Sequence, residues 1–188
     1  MKLIKDKEDV FTIPNVLSAF RIILAAVFLC VFRNAEISNQ KEILTIIVLI
    51  SALTDFLDGK IARRFNMVSE LGKILDPIAD KITQGILILC LMKKYPLLSG
   101  LFVFFIIKES FMGIAGLQVL KKTGQNEGAM WYGKVSTAIF YFVMLILIFI
   151  PNISIKAANT LIIASGIFML LSFILYAQKF VSLLKKKI

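Results

Sequence analysis

The composition of the chain indicates an integral membrane protein. Of its 188 residues, 59% are hydrophobic and 18% are charged, whereas a soluble domain has about 45–50% apolar and about 25% charged residues. The apolar residues recur in blocks long enough to cross a bilayer, which excludes one ordinary soluble core. Lys and Arg number 22 against 12 Asp and Glu, a net charge of +10. In so apolar a chain, this excess indicates cytoplasmic loops and anionic lipid rather than nucleic acid.

The residue types that are absent or rare exclude several kinds of site. The chain has no histidine, which excludes histidine bases, histidine metal ligands and Ser-His-Asp triads. Its two cysteines, Cys30 and Cys90, lie far apart in apolar runs, so we interpret them as small hydrophobic packing residues. Residues 1–12 mix lysines with acids and do not resemble a signal peptide. They are predicted to form a short interfacial helix, with a polar tail as the alternative.

The hydropathy pattern predicts six membrane-spanning helices. The apolar segments cover residues 13–32, 42–57, 71–92, 97–120, 131–150 and 157–178. The second segment is shorter than the roughly 20 residues a span needs, and we expect the helix to extend beyond it because a backbone in lipid must stay hydrogen-bonded. The predicted fold is an all-α bundle of six transmembrane helices in one domain, residues 1–188. The interfacial segment is 1–12, the helices lie within 13–178, and 179–188 form a basic cytoplasmic tail.

The distribution of basic residues predicts the orientation of the bundle. Six spans place both termini on the same side of the membrane. A cytoplasmic N-terminus puts twelve Lys and Arg residues inside and five outside. Because cytoplasmic loops carry the excess of basic residues, we expect both termini to lie in the cytoplasm.

Ionisable residues within the spans mark a candidate site. A charge at membrane depth costs about 2.5–3.5 kcal/mol or more, so it indicates a functional group facing the bundle interior. Asp55 and Asp58 end the second span, and Asp76 and Asp80 lie near the start of the third. The topology brings these four acids to the cytoplasmic side, together with Arg21, Lys108 and Lys134. The prediction is a polar cavity open to the cytoplasm.

The spacing of the four acids favours a metal site. Residues three or four positions apart share one face of a helix, so each pair of acids presents two carboxylates together. Crowded carboxylates repel one another and take up protons unless a cation lies among them. All-oxygen ligands favour Mg²⁺, Mn²⁺ or Ca²⁺ over zinc. Gly59 and Gly72 lie close by in sequence, where a missing side chain admits a bulky ligand, although glycines also serve helix packing.

The stretch from Asp55 to Asp80 reads D-F-L-D-G-K-I-A-R, then eight residues, then G-K-I-L-D-P-I-A-D. It resembles the signature of the CDP-alcohol phosphotransferase family, D-x2-D-G-x2-A-R-x8-G-x3-D-x3-D, at all eight fixed positions. Pro14-Asn15 followed by Arg21 resembles the family's N-terminal pattern. Gly133-Lys134 resembles its later phosphate-contacting pair. The resemblance therefore extends over most of the chain.

The resemblance implies an activity and a role for each matching residue. Family members transfer a substituted phosphate from a CDP-linked donor, usually CDP-diacylglycerol, to an alcohol and release CMP. Two metal ions, Mg²⁺ or Mn²⁺, are implied as cofactors, and a homodimer in the cytoplasmic membrane as the assembly. The implied metal ligands are Asp55, Asp58, Asp76 and Asp80, with Asp80 also the general base. The implied CDP-binding residues are Asn15, Gly59, Ala62, Arg63 and Gly72. The implied ligands of the acceptor phosphate are Arg21, Lys108 and Lys134.

The acceptor alcohol is predicted from finer resemblances. The sequence around Leu53–Lys81 resembles bacterial members that make phosphatidylglycerol phosphate from glycerol 3-phosphate, which is the predicted acceptor. Those enzymes are expected to hold its phosphate with two arginines of the fourth span, where this chain has Lys108 and Gly116. Lysine keeps the charge but cannot form the bidentate hydrogen bonds that arginine makes with phosphate. The alternatives are cardiolipin synthesis, with phosphatidylglycerol as the acceptor, and transfer to inositol phosphate.

The charged residues have two alternative interpretations besides catalysis. The four acids could form structural ion pairs with Arg63, Lys73 or Lys81, and Lys108 could pair with Glu109. A membrane cation carrier could also use an acid cluster, but it needs a polar path to both faces of the membrane. The outer halves of the predicted spans are almost free of polar residues, which disfavours the carrier.

Overall fold

A computed structural model describes residues 12–34, 37–65, 69, 71–123 and 130–185. The side chains at positions 34, 37–39, 58–59, 62–63, 73–74 and 123 are outside this description, although their backbone belongs to helices. The interfacial helix predicted over residues 1–12 falls almost wholly outside the described residues.

Six α-helices account for nearly all of the described residues. They are α1 (Ile13–Asn34), α2 (Ile37–Arg64), α3 (Gly72–Leu91), α4 (Leu98–Thr123), α5 (Trp131–Phe149) and α6 (Ile155–Lys185). At about 1.5 Å per residue, each is long enough to approach or exceed the roughly 30 Å hydrocarbon thickness of a bilayer. The chain is therefore all-helical over the part that the structure describes.

The helix bounds follow the predicted apolar segments, with two extensions. Both ends of α2 lie beyond the predicted segment 42–57, and α6 continues to Lys185 instead of ending near 178. Part of the predicted basic tail, residues 179–185, is thus helical. The added residues include Lys, Arg and Gln, which lower the hydropathy of a segment but are good helix formers.

Four of these helices are long and apolar enough to cross a membrane, as judged on the described residues. The candidate spans are Ile13–Arg33, Leu98–Lys122, Trp131–Phe149 and Ile155–Lys185. Large apolar side chains are also widely exposed, among them Leu117 and Phe142 at 60% and 63%. Such extensive apolar exposure is typical of a lipid-facing surface. Length, composition and surface together are those of an integral membrane protein.

The chain divides into two compact units, the first comprising Met1–Cys90 and Leu145–Asn152. In this unit α1 buries one face, on which buried residues recur every three or four positions. They are Asn15, Ser18, Arg21, Ala25 and Phe28. The polar members lie in the N-terminal half of α1, and Ser51 and Thr54 are buried in the C-terminal half of α2. Consecutive helices that reverse direction bring these polar halves to the same end of the unit.

The second unit comprises Leu91–Met144 and Ile153–Ile188. Its longest helix, α6, also buries one face, formed by Ala158, Ile162, Ser165, Met169, Ser172, Tyr176 and Phe180. Tyr176 and Phe180 form an apolar cluster with Ala115 and Val119 of α4. Phe173 makes edge-to-face contacts with Phe104 and Phe111, at ring centroid distances of 6.0 and 5.1 Å. Aromatic packing of this kind joins α4 to α6.

Candidate active site

Three of the four predicted metal ligands converge on the guanidinium group of Arg21. Arg21 Nη1 donates a hydrogen bond to Asp55 Oδ1 at 2.7 Å, and Nη2 donates to Asp76 Oδ1 at 3.0 Å. Nη1 also donates to Asp80 Oδ1. The structure therefore brings side chains of α1, α2 and α3 together at one point.

The carboxylates of this acid cluster (Asp55, Asp76 and Asp80) are accessible, but the arginine is not. The side chain of Arg21 is 0% exposed, while those of Asp55, Asp76 and Asp80 are 35%, 42% and 23% exposed. The guanidinium carries one positive charge, whereas the three carboxylates carry three negative charges when ionised, and they are partly exposed. Such a site attracts cations from solution.

The donor set of the acid cluster fits a hard divalent cation. All three groups are carboxylates, the ligands that Mg²⁺ and Mn²⁺ prefer, and they already surround a positive charge. Among the side chains that the structure describes, no three acidic, cysteine or histidine residues are arranged as a ready metal cage. The oxygens close instead on Arg21, which acts as the cation of the cluster in this structure.

Of the five signature residues in α2, four have side chains outside the described part of the structure. They are Asp58, Gly59, Ala62 and Arg63. Their predicted roles, the fourth metal ligand and the CDP pocket, therefore stay predictions.

Asn15 and Gly72, both predicted to line the CDP pocket, lie next to each other at the start of α3. The hydroxyl of Ser69 donates a hydrogen bond to Asn15 Oδ1 at 3.0 Å and accepts one from the backbone N–H of Gly72 at 2.9 Å. A Cβ atom on Gly72 would lie 2.5 Å from Asn15 Oδ1. The absence of a side chain at Gly72 thus allows α1 and the start of α3 to approach closely.

Ser69 is a residue of this site that the sequence reasoning missed. Its hydroxyl accepts the N–H three residues later, which is the contact of a helix N-cap. A serine just before an apolar helical segment is the usual sequence signal for such a cap. The second role, the bond to Asn15, joins residues 54 positions apart and leaves no local signal.

A small apolar cleft lies beside the acid cluster in the first unit. It is lined by Leu24, Ala25 and Phe28 of α1, Ile47, Val48 and Ser51 of α2, and Thr83, Ile86 and Leu87 of α3. Ala25, Ser51 and Thr83 are each about one helical turn from Arg21, Asp55 and Asp80. Charged residues and an apolar surface thus lie about one helical turn apart, an arrangement that suits an amphiphilic ligand.

The two lysines predicted to bind the acceptor phosphate belong to the second unit. Lys108 Nζ lies 2.8 Å from Glu109 Oε1, with both side chains largely buried. The structure therefore contains the Lys108–Glu109 ion pair, which is the alternative role of Lys108. Lys134 is exposed in the first turn of α5.

Gly133, which precedes Lys134, is fixed by contact with α6. The hydroxyl of Tyr176 accepts a hydrogen bond from the backbone N–H of Met130 at 2.8 Å, and its ring lies edge-to-face on Tyr132 with centroids 4.7 Å apart. A Cβ on Gly133 would lie 2.6 Å from the Tyr176 oxygen and 3.0 Å from a ring carbon. Tyr176 is a second residue that the sequence reasoning missed, because nothing local to it points to α5.

Curated proteins similar to this chain carry related names. It is 32% identical over 166 residues to the CDP-diacylglycerol–glycerol-3-phosphate 3-phosphatidyltransferase of Aquifex aeolicus, covering 87% of this chain and 88% of that one. It is 38% identical over 82 residues to the Rickettsia felis protein of the same name, but the match spans only 45% of that protein. It is 43% identical over 77 residues to the cardiolipin synthase (CMP-forming) of Streptomyces coelicolor, covering 40% of this chain and 36% of that one.

The family match extends over far more of the chain than the signature does. The sequence model of the CDP-alcohol phosphatidyltransferase family matches residues 11–178. This range includes α1 to α5, most of α6, the acid cluster and the Gly133-Lys134 pair, and it confirms the family resemblance of the sequence. The chain belongs to the CDP-alcohol phosphatidyltransferase family.

Proposed function

We propose that the protein is a phosphatidyltransferase that moves the phosphatidyl group of CDP-diacylglycerol to glycerol 3-phosphate and releases CMP. The observation that carries the proposal is that Asp55, Asp76 and Asp80 converge on the guanidinium group of Arg21. These are signature residues of the family, and they come from two helices joined by one loop. The apolar cleft beside them supports a lipid substrate.

The proposed reaction is a direct displacement at phosphorus. The acceptor hydroxyl attacks the phosphorus of the donor, Asp80 accepts the hydroxyl proton, and the bond from phosphorus to the CMP oxygen breaks. Asp80 suits the role of base because its side chain is 23% exposed, within reach of a hydroxyl at the mouth of the cluster. The described residues include no serine, cysteine or histidine paired with a base, so no covalent enzyme intermediate is invoked.

Asp55, Asp58, Asp76 and Asp80 would hold two divalent metal ions. When bound, Mg²⁺ or Mn²⁺ neutralises the diphosphate and stabilises the leaving CMP oxygen. The carboxylates would orient the donor indirectly, because they determine where the positive charges that bind its diphosphate lie. Asn15, Gly59, Ala62, Arg63 and Gly72 would contact its CDP group.

Glycerol 3-phosphate is the proposed acceptor because it appears in the name of the Aquifex aeolicus relative, which has the longest match of the relatives described above. The Aquifex aeolicus protein aligns over nearly its whole length and is named for that acceptor. Arg21, Lys108 and Lys134 were the sequence candidates for its phosphate. Of these, the exposed Lys134 has the accessible charge that the role needs.

Phosphatidylglycerol is the second candidate acceptor. Lys108 is paired with Glu109 at 2.8 Å, and Gly116 stands where a second arginine was expected. An acceptor that is a phosphodiester, with one negative charge, needs fewer cations than glycerol 3-phosphate. The Streptomyces coelicolor relative, named as a cardiolipin synthase, is similar over 77 residues. Inositol phosphate remains the third acceptor to test.

The proposed setting is the cytoplasmic membrane of a bacterium. All six helices would span the bilayer, the acid cluster would open to the cytoplasm, and both termini would lie in the cytoplasm. A homodimer is proposed from the family resemblance, and the mass of the detergent-solubilised protein would test it.

An acceptor panel tests the proposed function. The purified protein in detergent is given CDP-diacylglycerol and Mg²⁺, and CMP release is measured with glycerol 3-phosphate, phosphatidylglycerol, inositol phosphate, inositol or serine. We expect release with glycerol 3-phosphate and none with the Asp80→Asn variant. Release with phosphatidylglycerol alone would identify a cardiolipin synthase. Absence of release with every acceptor would contradict the proposed reaction.

A further inference from the structure

Arg21 is more deeply engaged in the acid cluster than a phosphate-binding residue would be. Its side chain is 0% exposed, and its guanidinium bonds carboxylates of α2 and α3. A buried arginine without partners would be strongly destabilising. The three carboxylates stabilise it, and it in turn holds them together.

Arg21 Nη1 occupies the point at which a metal ion bound by Oδ1 of both Asp55 and Asp80 would lie. This nitrogen contacts Oδ1 of both Asp55 and Asp80, one from each acidic helix. An ion bridging these two residues needs oxygens at about 2.0–2.1 Å, at the point where they converge. A guanidinium and a divalent cation cannot occupy one point, and they repel each other.

We propose that Arg21 is a positioning residue whose guanidinium holds the three carboxylates together in the metal-free protein and releases them when divalent ions bind. The proposal rests on the metal-binding role assigned to the acid cluster under the proposed function. It assigns Arg21 to the carboxylates instead of the acceptor phosphate. Arg21 and the metal ions then compete for the same oxygens, so removing Arg21 has opposite effects on the two states of the protein.

The test compares Arg21→Gln with the unaltered full-length protein in detergent. We measure thermal unfolding in EDTA and in saturating Mn²⁺, and Mn²⁺ affinity by the electron paramagnetic resonance signal of the free ion. Mildly alkaline pH limits competition from protons. We expect a lower Tm in EDTA, a Tm close to the unaltered protein's in Mn²⁺, and about tenfold tighter Mn²⁺ binding. Tenfold corresponds to the loss of one competing charge-assisted hydrogen bond.

The matched control is Arg33→Gln, which removes an exposed arginine from the last turn of the same helix. It should leave both unfolding temperatures and the Mn²⁺ affinity unchanged. Where Arg21→Gln fails to fold, Arg21→Lys keeps the charge but makes fewer bonds. We expect it to bind Mn²⁺ more tightly than the unaltered protein.

Two results would overturn the proposal, and they have different consequences for the proposed function. An equal fall of Tm with and without Mn²⁺, with unchanged Mn²⁺ affinity, would make Arg21 a structural residue that stays in place beside the metal. In that case the proposed function stands. Absence of Mn²⁺ binding by the unaltered protein would remove the metal role and this proposal together.

Discussion

At the scale of single residues, Asp80 has the most demanding combination of tasks. It bonds Arg21, and it is both a proposed metal ligand and the proposed base. Asparagine keeps the size and one oxygen of aspartate but cannot accept a proton at neutral pH. Replacing Asp80 by Asn therefore tests proton transfer with little change in shape.

We predict that Asp80→Asn remains folded and binds CDP-diacylglycerol, yet loses turnover by about 10²–10⁴-fold, the usual contribution of a general base. The measurement is CMP release, with donor binding followed separately. Glu42→Gln, which removes an exposed acid on the same helix as Asp55, should retain activity. Substantial turnover by Asp80→Asn would exclude Asp80 as the base.

Gly133 illustrates a residue constrained by one aromatic neighbour. The Tyr176 oxygen that a Cβ would approach to 2.6 Å is held by Met130, and its ring lies against Tyr132. The tyrosine therefore has little freedom to move away. Gly133→Ala should destabilise the protein by about 1–3 kcal/mol, the usual cost of overpacking.

The same substitution at Gly113 provides the control for Gly133→Ala. A Cβ there meets nothing within 4 Å, so alanine should be neutral or slightly stabilising in helix α4. Thermal unfolding in detergent measures both variants. Equal unfolding temperatures for the two would show that Tyr176 adjusts after all.

At the scale of elements, helix α3 depends on how it begins. Ser69 accepts the N–H of Gly72 and donates to Asn15, so it caps α3 and attaches it to α1. Asp76 and Asp80 lie one and two turns further along this helix. A shift at its start would move both carboxylates.

Ser69→Ala should lower stability by about 0.5–2 kcal/mol, the cost of losing an N-cap, and should reduce CMP release. The matched control is Ser99→Ala in the first turn of α4, where the hydroxyl is exposed and donates to Pro96. It should affect neither quantity. Unfolding temperature and turnover are measured on both variants. Unchanged turnover in Ser69→Ala would mean that the cap does not position the acids.

The proposed orientation predicts opposite accessibility for two exposed positions at helix ends. Asn152 follows α5, and Lys185 ends α6. In a protein whose natural cysteines are replaced, a membrane-impermeant thiol reagent applied to intact cells should label Asn152→Cys but not Lys185→Cys. Both should react after the cells are opened. The reverse labelling pattern would invert the assigned topology.

The helices could be predicted from the sequence more completely than their contacts. Apolar blocks located all six, since a span must be both long and apolar, and the starts of α1 and α5 agree with the predicted segments. The positions of the two ends of α2 were not predicted. Polar and charged residues lower the hydropathy there, but they do not lower the helix propensity. The grouping of Asp55, Asp76 and Asp80 followed from spacing and reversal of direction. The partners of Arg21 and Tyr176 did not, because they depend on contacts between distant segments.

At the scale of the whole molecule, charge and chemistry are concentrated in the helices that least resemble membrane spans. The four candidate spans are α1, α4, α5 and α6 over most of their length. The other two described helices, α2 and α3, carry the acidic signature. Polar groups lower the hydropathy of a helix, so the two helices that carry the three carboxylates are also the two that are not candidate spans among the described residues.

Removal of divalent ions tests the whole proposed site at once. EDTA should abolish CMP release, and added Mg²⁺ or Mn²⁺ should restore it, because no other role is evident for so many clustered carboxylates. Dialysis without chelator serves as the control for loss of activity during handling. Turnover that is insensitive to EDTA would contradict a metal-dependent displacement.

The burial of Arg21 also constrains the order in which the protein can be assembled in its membrane. The ribosome completes α1 first, and the partners of Arg21 follow 34, 55 and 59 residues later. Until then, an arginine within this helix costs about 2.5–3.5 kcal/mol in lipid. We therefore expect α1 to stay near the insertion machinery, or at the membrane surface, until α3 has emerged. Of the six described helices, α1 would then be made before the others but be among the last to reach its final position.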